Sequence, residues 1–130
     1  MMKKIVGIVL PLLMIMAFGL AACGQSSTGA QPGTPANEVD MGIANFVQTS
    51  VTISKGQSVH FVDQQSGTTH ILCIGKDGSC NSDAKGPRDL IGQGFTVQPG
   101  QAHDVPFDTA GTYTITCTLH PDMNLSVTVR

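Results

Sequence analysis

From residue 38 to its C-terminus this chain alternates apolar and polar residues with a period of two, and that pattern restricts its folds more than any other feature. Successive side chains on a strand point to opposite faces, so short alternating runs mark half-buried strands. Val51 and Ile53 alternate with Thr52 and Ser54, Val59 and Phe61 flank His60, and Phe95 and Val97 precede Pro99-Gly100. Tyr113, Ile115 and Cys117 share one face with Thr112, Thr114 and Thr116 on the other, and Leu125, Val127 and Val129 close the chain in the same way. Lys55-Gly56-Gln57 and Pro99-Gly100 are turn signals. No helical stripe is sustained after residue 23, so the pattern predicts an all-β sandwich or barrel. Residues 74–92, rich in Gly, Asp and Ser, read as a long connection between strands with room for a short helix.

The first part of the chain has a different character. Met1-Met2-Lys3-Lys4 is positive, Ile5 to Ala22 carries no charge, and the run stops at Leu20-Ala21-Ala22-Cys23. A retained membrane span is the competing reading, because an uncharged run of this length just crosses a bilayer. Pro11 and the small-residue ending favour a secretory signal peptide over residues 1–22. That ending also resembles the lipobox of bacterial lipoproteins. The resemblance implies that Cys23 is the first mature residue and carries lipid, anchoring the protein to a membrane from outside the cytoplasm. Residues 23–37 then continue as a Gly-, Pro- and Ser-rich stretch too polar to bury a core, which reads as a flexible linker. One domain remains, residues 38–130, a size at which a single core is adequate.

Without Lys3 and Lys4 the chain keeps five basic residues against nine acidic ones, a net charge of −4. No basic cluster survives, which removes the electrostatic footing for nucleic-acid binding. Four cysteines are present. With Cys23 assigned to lipid and Cys117 to the motif described next, Cys73 and Cys80 remain. They flank I-G-K-D-G-S, a turn-prone stretch able to bring them face to face, and outside the cytoplasm a disulfide is the default. Two free thiols are the alternative.

Between the last two alternating runs stands C-T-L-H-P-D-M, with Cys117, His120 and Met123 at equal three-residue intervals. A thiol, an imidazole and a thioether all bind soft or borderline metals. Taken singly, each has a plainer role: a small buried hydrophobe, a surface loop residue, core filler. Neither a helix, which Pro121 would break, nor an extended strand brings the three together. A loop folding back between two strands does. A second histidine has to come from upstream. His60 sits within a strand and points away from the face that Val59 and Phe61 bury, and His103 sits between Ala102 and Asp104 just after a turn. His70 stands at the start of an apolar run, where a strand end can meet the Cys117 loop.

The lines K-G-Q-S-V-H-F-V-D followed by His70, and F-D-T-A-G-T-Y-T-I-T-C-T-L-H-P-D-M, resemble the cupredoxins of the plastocyanin–azurin superfamily. The short C-x₂-H-x₂-M loop with Pro after the His is most similar to amicyanin. This resemblance implies a Greek-key β-sandwich holding one type 1 copper ion, with His70, Cys117 and His120 as equatorial ligands and Met123 as the axial one. The family often brackets its first ligand His with Pro and Asn, where this chain has Thr69 and Ile71, and often has Pro before its second, where this chain has Leu119.

Three functions compete on these residues. A membrane-tethered electron carrier would dock redox partner proteins near His120, between Leu119 and Pro121, and act as a monomer. A copper storage or delivery lipoprotein would want Met and His clusters, yet only Met41 and Met123 lie beyond the signal. A copper enzyme would need further ligands from paired histidines, and the chain has four histidines and no H-x-H. The expected protein is therefore an electron carrier and not an enzyme.

Overall fold

The computed structural model describes residues 35–64 and 66–130. The expected signal peptide, the expected lipidation site Cys23 and most of the expected linker lie outside the described residues. Nine strands follow one another: β1 (Glu38–Asp40), β2 (Ser50–Ile53), β3 (Ser58–Val62), β4 (His70–Lys76), β5 (Ser79–Cys80), β6 (Phe95–Val97), β7 (Ala102–Pro106), β8 (Gly111–Cys117) and β9 (His120–Val129). One 3-10 turn, Arg88–Leu90, separates β5 from β6, and the described residues contain no α-helix.

The strands form two sheets. The smaller has the order β1-β3-β7 and the larger the order β2-β9-β8-β4-β5, with β6 also on β4. β1 runs parallel to β3 and β2 parallel to β9, while the remaining pairs are antiparallel. The alternating runs bury most of their apolar members: Val59 and Phe61 from β3, Ile115 and Cys117 from β8, Leu125 and Val127 from β9 are all essentially inaccessible, while Phe95 of β6 is partly buried. Together with Val39, Leu72, Val105 and Phe107 they make one core between the sheets. Phe61 crosses that core to meet Phe95 edge-on, with ring centroids 6.0 Å apart. Such pairing adds about 0.5–1.5 kcal/mol to the burial of the rings.

The connection expected over residues 74–92 is shorter. β4 continues to Lys76 and returns at once as β5, with Gly75 opposite Cys80 and Lys76 opposite Ser79. Asp77 and Gly78 make the turn with φ of 50° and 78°. Positive φ at both central residues matches the right-handed twist of the flanking strands, and Asp-Gly is among the few pairs that adopt it readily. A disulfide joins Cys73 to Cys80 across this hairpin.

Candidate metal centre

β8 and β9 are joined by Thr118-Leu119, and Cys117 stands directly opposite His120. One step back the register is different, because Thr116 pairs with Asn124. Pro121, Asp122 and Met123 therefore face no residue of β8. A Pro without an N–H costs nothing in such a bulge, where no ladder bond is available to it. The bulge returns the chain toward the core, and the Met123 side chain is 1% exposed. The end of β4 supplies His70 beside this hairpin, because Leu72 pairs with Cys117. The Thr118 N–H donates to the Ile71 carbonyl over 2.9 Å, tying the Cys117 turn to the residue after His70. Main chain thus links the Cys117 loop to the segment that carries His70.

Three donor atoms converge. Cys117 Sγ lies 3.8 Å from His70 Nδ1 and 3.5 Å from His120 Nδ1, and one ligand atom from each of the three residues fits within a 4.8 Å span. The imidazole rings are 5.2 Å apart and tilted by 52°. Cys117 is buried and is the free cysteine of the described residues. His70 is also fully buried, while His120 is half-buried and its neighbour Leu119 is 51% exposed. Of the three donor residues, only His120 keeps any exposure.

Behind His70 stands a feature that the sequence did not single out. Its Nε2 lies 3.4 Å from Ser66 Oγ and 3.7 Å from Asp63 Oδ2. The Ser66 N–H and hydroxyl both donate to the Asp63 carboxylate, over 2.7 and 2.8 Å. Asp63 is fully buried. In sequence it is a polar residue following β3, and nothing local distinguishes it from a solvated turn aspartate. Burial holds the His70 imidazole below its ordinary value of 6.5; the Asp63 charge opposes that shift, His120 adds to it, and a backbone hydrogen bond to Gly42 opposes it. A neutral imidazole is the form that binds metal.

The other two histidines lie elsewhere. His60 pairs with Asp104 at 2.6 Å on the smaller sheet. His103 bonds Asp89 at 2.8 Å and stacks on Phe95 at 4.3 Å.

The donor set itself selects the metal. Two imidazoles and a thiol converging on one point, with Met123 buried on the same loop, suit copper; oxygen-seeking Mg²⁺ and Ca²⁺ would find no carboxylate in the set. The comparisons with known proteins agree. The family of copper binding proteins described as plastocyanin/azurin matches residues 34–130. Plastocyanin of Scenedesmus fuscus is 30% identical over 93 residues, spanning 69% of this chain and 89% of its own. Among solved structures, amicyanin of Paracoccus versutus superposes with a TM-score of 0.56 at 24% identity, over 75% of this chain and 86% of amicyanin. A reduced amicyanin variant gives the same TM-score at 22% identity, over 73% and 82%. The fold is that of a cupredoxin, and this chain belongs to the plastocyanin/azurin family of copper-binding proteins. Its cofactor is copper.

Proposed function

We propose that the protein is a blue-copper electron carrier, with His70, Cys117 and His120 as equatorial ligands, Met123 as the axial ligand, and lipid on Cys23 as its attachment to the outer face of a membrane. The observation that carries this reading is the convergence of His70 Nδ1, His120 Nδ1 and Cys117 Sγ within 4.8 Å. Copper bound there supplies a one-electron couple between Cu(II) and Cu(I).

The chain's own contribution is to keep that couple fast and directional. Thiolate and thioether suit Cu(I) and imidazole suits Cu(II), so a mixed set held by packing needs little rearrangement when the charge changes. Three of the four proposed donors sit in the packed interior. Cys117 and His70 are fully buried, and Met123 nearly so. The His70 ring is oriented from behind by Ser66 and Asp63. Water is excluded except near the half-buried His120, which makes that imidazole the path for electrons. Exposed Leu119 beside it offers the apolar contact that a transient redox partner needs.

A storage or delivery role would need exchangeable donors at the surface. The methionine other than Met123 that lies beyond the signal is Met41, and it is 4% exposed, packed in the core. That favours the carrier. Among the described residues no helix is long and apolar enough to cross a membrane. In this reading attachment rests on lipid at Cys23, and mass spectrometry should find a diacylglyceryl group on that residue, absent in Cys23→Ala.

The deciding experiment is a visible spectrum of the full-length protein in detergent, titrated with Cu(II). An intense blue thiolate-to-copper band that disappears on reduction and in Cys117→Ala establishes the carrier site. A colourless protein that binds Cu(I) tightly would replace this reading with copper delivery.

A further inference from the structure

The alternation along β8 places Thr112, Thr114 and Thr116 on the outer face of the larger sheet. Thr112 and Thr114 are exposed there, yet Thr116 is completely buried. Its partner across the ladder is Cys73, also completely buried. What covers this face is the disulfide-closed β4–β5 hairpin. Its tip reaches over β8 onto the bulge that carries Met123.

The contacts at that tip form a continuous chain. The Gly78 N–H donates to Thr116 Oγ1 over 3.0 Å, and the Thr116 hydroxyl donates to the Met123 carbonyl over 3.3 Å. One residue earlier, the Asp77 N–H donates to Asn124 Oδ1 over 3.0 Å. The Asn124 amide donates to the Asp77 carboxylate at 3.2 Å and to the Pro121 carbonyl at 3.1 Å. A Cβ built on Gly78 would stand 3.2 Å from Pro121 Cα. Both ends of the bulge, Pro121 and Met123–Asn124, are thus bonded to the hairpin or to a residue that the hairpin holds. A bulge without ladder partners has to be fixed by something else, and here the hairpin does it.

We infer that the Cys73–Cys80 hairpin is a positioning device for the Met123 arm of the metal loop, acting through Thr116 and Asn124. The inference rests on the copper reading above and adds to it a part remote from the metal. Neither Thr116 nor Asn124 is a proposed ligand. Both set where the backbone of Met123 lies, and through it how near the thioether stands to the three equatorial donors. The short Cys-to-Met loop is then braced from outside by a second, covalently closed loop, complementing the main-chain bond from Thr118 to Ile71.

The test uses the full-length protein with Thr116→Val, which keeps the side-chain shape and deletes both hydroxyl hydrogen bonds. Copper loss to a chelator should quicken by about tenfold or more, the range typical for groups supporting metal ligands. The intensity ratio of the two thiolate-to-copper bands should change. Amide exchange at Asp122, Met123 and Asn124 in the metal-free protein should rise. Thr116→Ser should restore all three. Asn124→Ala, at the solvent side of the same contact, gives an independent variant should Thr116→Val fail to fold. A variant that folds but changes only its melting temperature, with copper loss, band ratio and loop exchange unmoved, overturns the inference. If the unmodified protein takes no blue colour, the copper reading fails instead, and loop exchange still decides whether the hairpin holds the bulge.

Discussion

His70 Nε2 stands 3.7 Å from Asp63 Oδ2, and neither side chain reaches solvent. The opposite nitrogen of the same ring faces Cys117. A buried carboxylate therefore lies directly behind one proposed copper ligand, where its negative charge favours whichever state of the centre is more positive. Asp63→Asn removes the charge and keeps the shape. We expect the variant to hold Cu(II) less well by about 10–100-fold relative to Cu(I). At 59 mV per decade for one electron, the midpoint potential should rise by roughly 60–120 mV. Protein-film voltammetry of both proteins measures this, and a fall in potential would contradict it.

Met123 offers a separate handle on the same couple. It is 1% exposed, so Met123→Leu conserves volume in a packed site and should cost under about 1.5 kcal/mol of stability. It replaces a weak donor by hydrocarbon. A dry apolar neighbour disfavours the higher charge of Cu(II), so the blue band should persist while the potential rises. Loss of the blue band in this variant would mean that Met123 is not merely axial.

The metal-free protein should lose stability on acidification. Burial holds the native His70 below its ordinary value of 6.5. As the pH falls below that value the unfolded chain binds a proton that native His70 resists, so the unfolded state gains. The contribution is fully present above the unfolded value and is lost as the pH drops toward the native one. Urea midpoints of metal-free protein at successive pH values, compared with those of His70→Gln, isolate the effect. The slope should be steeper in the protein that keeps His70.

Tyr113 tests the fold away from the metal. Its hydroxyl donates to the Thr109 carbonyl over 2.8 Å, and its ring meets Phe107 edge-on at 5.2 Å. Tyr113→Phe keeps the ring contact and deletes the hydrogen bond. A cost of about 0.5–1.5 kcal/mol follows, or a melting temperature lowered by about 4–8 °C for each kcal/mol in a domain of this size. The blue spectrum should be unchanged, since Tyr113 takes no part in the site.

What the sequence revealed and what it hid divide along a physical line. Period-two burial is local, so Val59, Phe61, Ile115, Leu125 and Val127 can be assigned to the core by inspection. The equal spacing of Cys117, His120 and Met123 also announces itself, and a strand end is a sensible place to seek His70. Parallel pairing of β1 with β3 and of β2 with β9 depends on which distant segments meet, and no local pattern encodes that. Asp77-Gly78 was readable as a turn. That β4 runs up to it, and that the resulting hairpin buries Thr116, follows only from the sheet on which it folds. Asp63 was hidden for the same reason, since its burial is imposed by the loop around Ser66 rather than by its neighbours in β3.

The first strand has one further consequence. Glu38 lies beside His60, and the Asn37 amide reaches the Ser58 carbonyl close to the Lys55-Gly56-Gln57 turn, where the Lys55 N–H meets the Arg130 carbonyl. From there β1 runs along β3 until the Met41 N–H meets the Val62 carbonyl, next to Asp63 and the His70 bracket. The polypeptide thus joins the domain at the pole opposite the His120 edge. In the proposed reading, a tether upstream of Glu38 would be attached at that blind end and would leave the His120 edge facing away from the anchor.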